Sequence, residues 1–403
     1  SQLKEGLDIT KEICKNDLKN VQNITFTADE SELIYSDVFI ITVPTPVNKN
    51  KQPDLSPLIE ASKTVGKALK NRNLCVEKNI NKTLPIIIYE STVYPGATEE
   101  ICIPVLENFS NLKLNEIDPL KGFIAGYSPE RINPGDKEHS LKSIIKITSG
   151  SNKEGTEWID RFYSNIVSAG TFPVRCIKIA EAAKVIENTQ RDLNIALINE
   201  LAIIFEKMNL NTAEVLEAAN TKWNFLNFNP GLVGGHCIGV DPYYLTQKSI
   251  ELGYIPELVL AGRKINDGMS GWIANLLIKN MAQRSIPIVN SNVLIMGYTF
   301  KEDCNDTRNT QVKELIRILN EFNLNIYLND PYIKYLDENF NNLKVKLINN
   351  LDYENKFDAI VVCLAHKEYK LIKRDEWLKF CKKNSLIIDL KNFLPKNLPT
   401  IKI

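Results

Sequence analysis

The stretch from Ile177 to about Asn209 contains neither glycine nor proline, and its apolar residues recur three and four positions apart. That pattern fixes one long helix, and helices of this length commonly bridge domains. On both sides of it, short β-branched runs alternate with helix-length segments. Before it come Val38 to Val43, Ile86 to Thr92, Gly122 to Glu130 and Ile144 to Gly150, with a helix from Leu58 to Leu69. After it come a second helix from Pro256 to about Gln283 and the runs Asn292 to Phe300, Asn325 to Asp330, Asp358 to His366 and Ser385 to Leu390. A further helix is read from Gln311 to Phe322. Apolar runs buried on both faces and separated by helices predict parallel sheets. The expected fold is therefore α/β, with two Rossmann-like, doubly wound parallel-sheet domains joined by a central helical region. The expected boundaries are 1–176, 177–285 and 286–403, with ligands at the carboxyl ends of the strands.

At 403 residues the chain exceeds the size of a single core. Basic and acidic residues balance at 49 each, which gives no electrostatic case for nucleic acid or an anionic membrane as partner. No run approaches the ~18 apolar residues of a membrane helix, and the polar start lacks a signal-peptide core, so a cytoplasmic protein is expected. The cysteines form no CxxC pair, consistent with reduced thiols. His236 adjoins Cys237, but neighbouring side chains diverge, so no metal site is expected there. A dinucleotide-binding domain normally opens with a strand and G-x-G-x-x-G, and nothing of that kind precedes Asp37. Either the natural beginning lies outside this chain or the chain binds its cofactor weakly.

The most specific segment is Lys222-WNFLNFNPGLVGGHCIGVDPYYL. Gly234 and Gly235 precede Cys237, and Asp241 follows it by four, giving the backbone freedom to bring a substrate against sulfur. A small apolar core role suits the other cysteines better. Lys184 and Asn188 are four apart and share one helical face. The motifs TVPTP (42–46), ESTVYPG (90–96), YSPERINPGD (127–136), EAAKVIENTQRDLNIALINE (181–200), GGHCIGVDPYY (234–244) and FKEDCNDTRNT (300–310) run through nearly the whole chain. On these motifs the sequence resembles the UDP-glucose/UDP-mannosaminuronate dehydrogenase family, above all its bacterial UDP-N-acetylglucosamine and UDP-N-acetylgalactosamine 6-dehydrogenase branch.

The resemblance implies an NAD-dependent enzyme that oxidises the C6 alcohol of a UDP-N-acetylhexosamine to the uronate, for capsule or O-antigen synthesis. Cys237 would add to the intermediate aldehyde, giving a thiohemiacetal and then a thioester. Lys184 and Asn188 would hold the oxyanion and a water. Glu130 would act as base towards that water, positioned by Asp241 and Thr92. Thr42, Pro44, Thr45, Glu90, Ser91, Thr92 and Arg308 match cofactor contacts. Glu130, Lys184, Asn188, Gly234, Phe300 and Lys301 match substrate contacts, with Lys391 a weaker candidate. Arg131 could bond the acetamido oxygen or a hydroxyl, or pair with a neighbouring carboxylate. The C4 epimer depends on one hydroxyl contact that the sequence does not reveal.

Apolar residues of the long helix, among them Ile195, Leu197, Ile198, Leu201 and Ile204, exceed one narrow stripe, so a homodimer or higher oligomer is expected. Three competing readings remain at this level. One is a UDP-glucose 6-dehydrogenase. Another is a β-hydroxyacid or 6-phosphogluconate-type dehydrogenase, which also spaces Lys and Asn by four but needs no cysteine. The last is a non-catalytic UDP-sugar-binding relative without an NAD site.

Overall fold

The structure, a computed structural model, describes every residue except 1, 9–12, 14, 22, 49, 77–82, 133–139, 236–237, 337–339, 341–342, 352–355, 396–397, 399 and 403. The chain divides into two compact units, one of residues 1–187 and 243–255, the other of 188–242 and 256–403. The central helical region expected from the sequence is thus shared between them.

The first unit contains α1 (Lys15–Asn20), β1 (Val38–Ile41), α2 (Ser56–Val76), β2 (Ile86–Tyr89), α3 (Ile103–Ser110), β3 (Lys113–Leu114), β4 (Gly122–Tyr127), β5 (Lys146–Gly150), α4 (Lys153–Ser164) and β6 (Thr171–Pro173). Its sheet runs β1-β2-β4-β5-β6, with β3 paired to β4. β1, β2 and β4 are parallel, in the register Val38 to Ile86 and Ile86 to Ile124. β5 departs from the expected parallel sheet and runs antiparallel to β4, pairing Tyr127 with Ser149. An antiparallel pair needs no crossover helix, and the described residues between the two strands contain none. Ile86, Ile88 and Ile124 pack with Ile159 and Tyr163 of α4. The approach is close: a Cβ on Gly126 would stand 2.1 Å from Ile159 Cδ1.

The helical middle comprises α5 (Ile177–Lys207), α6 (Thr212–Ala219), α7 (Asp241–Glu251) and α8 (Glu257–Gln283). Within the second unit α8 lies against α5 at Gly262, where a Cβ would meet Leu193 Cδ2 at 2.5 Å. A buried polar network crosses the same contact. Arg263 Nη1 donates to Asp192 at 2.6 Å, Asn266 Nδ2 donates to the same carboxylate at 2.7 Å, and Asn199 Nδ2 donates to Asn266 at 2.8 Å.

The second unit continues with β7 (Asn292–Met296), α9 (Val312–Asn320), β8 (Asn325–Asn329), β9 (Val345–Leu347), β10 (Phe357–Val362), α10 (Lys367–Lys370), α11 (Arg374–Phe380), β11 (Cys381–Asp389) and β12 (Thr400–Lys402). These strands form a wholly parallel sheet ordered β12-β11-β10-β7-β8-β9. Counted within the unit, that is the doubly wound order of dinucleotide-binding folds, with its switch point between β7 and β10. Val293, Ile295, Val361 and Ile388 face one core, with α8 and α9. Leu294, Met296, Val362 and Ile387 face the other, with Trp377 of α11. Burial on both faces is why these strands read as unbroken apolar runs.

Candidate active site

In the first unit the loops that leave β1 and β2 are bonded to one another. Ser91 Oγ donates to Val43 O at 2.6 Å, and Thr45 Oγ1 donates to Thr92 O at 2.7 Å. Thr42 and Pro44 are exposed beside them. This polar edge at the carboxyl ends of adjacent parallel strands suits the nicotinamide end of a dinucleotide. The sequence reading places Glu90 on the cofactor as well. Its carboxylate turns inward, accepting the Tyr163 hydroxyl and pairing with Lys146 at 3.2 Å. Burial, with the Glu90 charge beside it, pushes the Tyr163 hydroxyl far above its ordinary value.

Glu130 follows β4, and its carboxylate accepts the backbone N–H of Ile132. Arg131 pairs with Glu187 of α5 at 2.7 Å and donates to Ile145 O at 2.8 Å. The sequence left this arginine open between a sugar and a carboxylate; here the carboxylate holds it. Lys184 is buried in the same helix. Near the start of α5, Glu181 is also buried and accepts the N–H groups of Gly96 and Thr98 at 2.5 and 2.9 Å. Burial raises its carboxyl above the usual range despite these bonds.

In the second unit Asn188 Nδ2 donates to Asp241 Oδ2 at 2.6 Å. Gly234 and Gly235 pack onto the FKEDCNDTRN loop. A Cβ on Gly234 would lie 2.9 Å from Asn309 O, and one on Gly235, whose φ is +84°, would lie 2.7 Å from the Phe300 ring. Gly235 N donates to Arg308 O at 3.2 Å, and Asn309 Nδ2 donates back to Gly235 O at 3.3 Å. Close packing therefore demands these glycines, beyond the freedom that the sequence suggested. His236 and Cys237 lie outside the described residues.

The Arg308 guanidinium forks onto Asp306, with Nε 2.9 Å from Oδ1 and Nη2 2.6 Å from Oδ2. Lys301 lies with its ammonium 5.6 Å from the centre of the Phe300 ring. Lys391 stands 3.3 Å from Glu302 and lines a cleft of about 370 Å³ with Asn227, Asn229 and Pro230. Burial raises the Glu302 carboxyl, but the Lys391 charge and backbone N–H groups outweigh it and hold it below the usual range.

The loop that carries Phe300 and Lys301 is braced by residues that the sequence reading did not single out. Asp330, at the end of β8, accepts Tyr298 N at 2.6 Å and Thr299 N at 3.0 Å, and lies 3.1 Å from His366 Nε2. His366 Nδ1 accepts Asp303 N at 3.0 Å. Asp303, His366 and Glu368 lie within the span of a metal cluster, but both imidazole nitrogens are engaged by protein groups. The strand-end placement of Asp330 and His366 was the available signal.

The chain matches three parts of the UDP-glucose/GDP-mannose dehydrogenase family: the NAD binding domain over residues 6–167, the central domain over 178–268 and the UDP binding domain over 294–396. It is 48% identical to UDP-N-acetyl-D-glucosamine 6-dehydrogenase of Pseudomonas aeruginosa, covering 100% of this chain and 91% of that one. With the protein of the same name from Salmonella typhi it shares 46% identity, over 100% and 90%. Among solved structures, UDP-D-ManNAc dehydrogenase from Pyrococcus horikoshii superposes with a TM-score of 0.81 at 27% identity, covering 96% of this chain and 86% of that one. No described helix is long and apolar enough to cross a membrane. With all three domains matched in order, this chain belongs to the UDP-glucose/GDP-mannose dehydrogenase family.

Proposed function

We propose that this protein oxidises C6 of a UDP-N-acetylhexosamine, preferentially UDP-N-acetylglucosamine, from alcohol to carboxylate, and that it serves surface-polysaccharide synthesis. The observation that carries the reading is the packing of the Gly234–Gly235 turn, which leads into Cys237, on the Phe300–Asn309 loop, with Asn188 bonded to Asp241. The full-length similarity to enzymes named for UDP-N-acetyl-D-glucosamine supports the substrate.

Bound NAD supplies the hydride acceptor for each oxidation. The Cys237 thiolate adds to the C6 aldehyde left by the first oxidation, and the second turns the thiohemiacetal into a thioester. Lys184 and Asn188 stabilise the C6 oxyanion. Glu130 takes a proton from the water that releases the acid, while Asp241 and Thr92 hold that water. Thr42, Pro44, Thr45, Ser91 and Arg308 serve the cofactor, and Gly234, Phe300, Lys301 and Lys391 the UDP-sugar. We also propose that the protein works as a homodimer through α5.

The test is stoichiometry and trapping. UDP-N-acetylglucosamine should yield two NADH per uronate, with UDP-N-acetylgalactosamine and UDP-glucose slower. Cys237→Ser should bind UDP-N-acetylglucosamine nearly unchanged yet make no uronate. One NADH per product, or uronate from the serine variant at the parent rate, would overturn the mechanism.

A further inference from the structure

Arg131 and Glu187 meet as a fork on a carboxylate: Nη2 lies 2.7 Å from Oε1, and Nε donates to Oε2 at 3.3 Å. The third guanidinium nitrogen, Nη1, donates to Ile145 O at 2.8 Å. One side chain therefore joins the loop after β4, the entry to β5, and α5. The two side chains are 27% and 36% exposed, so the pair is partly withdrawn from water and fixed at both ends. Such bidentate, charge-assisted pairing constrains geometry as well as adding energy.

Its position gives it consequence. Arg131 is the residue after Glu130, and Glu187 lies three beyond Lys184, a neighbouring position on the helix surface. Upstream, the Glu130 loop is tied to the sheet through Ser128, whose N donates to Tyr89 O at 2.9 Å and whose Oγ donates to Ile147 O at 2.7 Å. At Glu130 itself the carboxylate closes a turn onto Ile132 N. Downstream, Arg131 ties the loop to α5.

We infer that Arg131 and Glu187 are a positioning pair that sets where the Glu130 carboxylate stands relative to the segment of α5 bearing Lys184. The inference rests on the proposed role of Glu130 in releasing the product. In that step a water O–H bond breaks and its oxygen bonds to the thioester carbonyl carbon. The C–S bond breaks with Cys237 leaving as thiolate, and the water's proton goes to Glu130. No electrons are exchanged. A loosened pair slows this step and leaves the earlier oxidations in place.

The experiment compares Glu187→Gln, Arg131→Met and Arg131→Lys with the parent protein by steady-state kinetics, thermal melting and intact mass under turnover with NAD and UDP-N-acetylglucosamine. Glu187→Gln and Arg131→Met should lower kcat about tenfold to a hundredfold, the scale of a misplacement near 1 Å, with KM for the sugar within about threefold. Both should accumulate the uronoyl adduct on Cys237, and Arg131→Lys should recover part of the rate. An active parent with variants that raise KM at unchanged kcat and carry no adduct would assign Arg131 to the sugar and overturn the inference alone. A rate loss that follows the melting temperature without adduct would also overturn it. A parent that makes no NADH from any UDP-hexose would remove the functional reading and this inference together.

Discussion

Asn188 gives its side-chain amide to the carboxylate of Asp241 at 2.6 Å, tying α5 to the residue that opens α7. Asp241 is buried in the first turn of that helix, where the backbone N–H groups and the helix dipole favour a negative charge. Asn188→Ala removes a fixed donor from the carboxylate as well as the amide proposed for the oxyanion. The expected result is a fall in kcat of about a hundredfold with a native circular dichroism spectrum. An unchanged kcat would exclude Asn188 from the chemistry.

Gly235→Ala should damage the site through two separable effects. Gly235 holds φ at +84°, and the added Cβ would press on the Phe300 ring at 2.7 Å. Gly253 has the same φ of +84° with nothing within 4 Å of a Cβ. Gly253→Ala therefore measures the backbone strain alone, about 1–2 kcal/mol. Gly235→Ala should lower the melting temperature further and should also slow the labelling or turnover of Cys237. Equal melting shifts and an unaltered rate would show that the Phe300 contact yields freely.

The parts of this fold that were legible in the sequence are those where one physical demand dominates. Ile86 to Tyr89 reads as a strand because every residue in it is buried. Ile177–Lys207 reads as a helix because nothing within it breaks one. The short edge strands β6, β9 and β12 were not legible, since three residues carry no periodicity and β6 ends in a proline. The reversal of β5 was hidden because direction depends on the connection, which leaves no mark on the strand's composition. At the site, Lys184, Asn188 and the Gly234–Gly235 turn stood out through spacing and glycine pairing. Glu187 did not, because an acid on a helix is ordinarily solvated and only the fold brings Arg131 to it. Lys146 was equally hidden within β5, its charge answered by Glu90 from another strand end.

Asp330 should give the second unit an acid-sensitive brace. Burial raises its carboxyl, but the His366 hydrogen bond and the N–H groups of Tyr298 and Thr299 outweigh burial and hold it below the ordinary 3.8. A lowered folded-state value means the contribution is fully present above 3.8 and fades as pH falls through the folded value. Asp330→Asn should cost about 3 kcal/mol at pH 7, the scale for losing charge-assisted bonds at a buried group. The gap between variant and parent melting temperatures should narrow as the buffer is taken from pH 7 towards pH 3. A gap that stays constant or widens in acid would contradict the assignment.

The long helix supplies the last prediction. Within α5, Ile198 is buried, whereas Leu197 and Ile204 remain 53% and 43% exposed. Those two are seven residues apart, two helical turns, so they stand on one face. A second copy of the same helix, bringing the same two side chains, would cover them with complementary chemistry, as a self-complementary two-fold interface requires. Light scattering at micromolar concentration should therefore give a dimer or higher mass for the parent. Replacing both residues, Leu197→Glu with Ile204→Glu, should move it towards the monomer by placing like charges opposite each other across the axis. Because neither side chain is buried in the chain's own core, each unit should keep its secondary structure in the variant. A monomeric parent would refute the α5 interface. A dimer of unchanged mass in the double variant would place the contact on another surface.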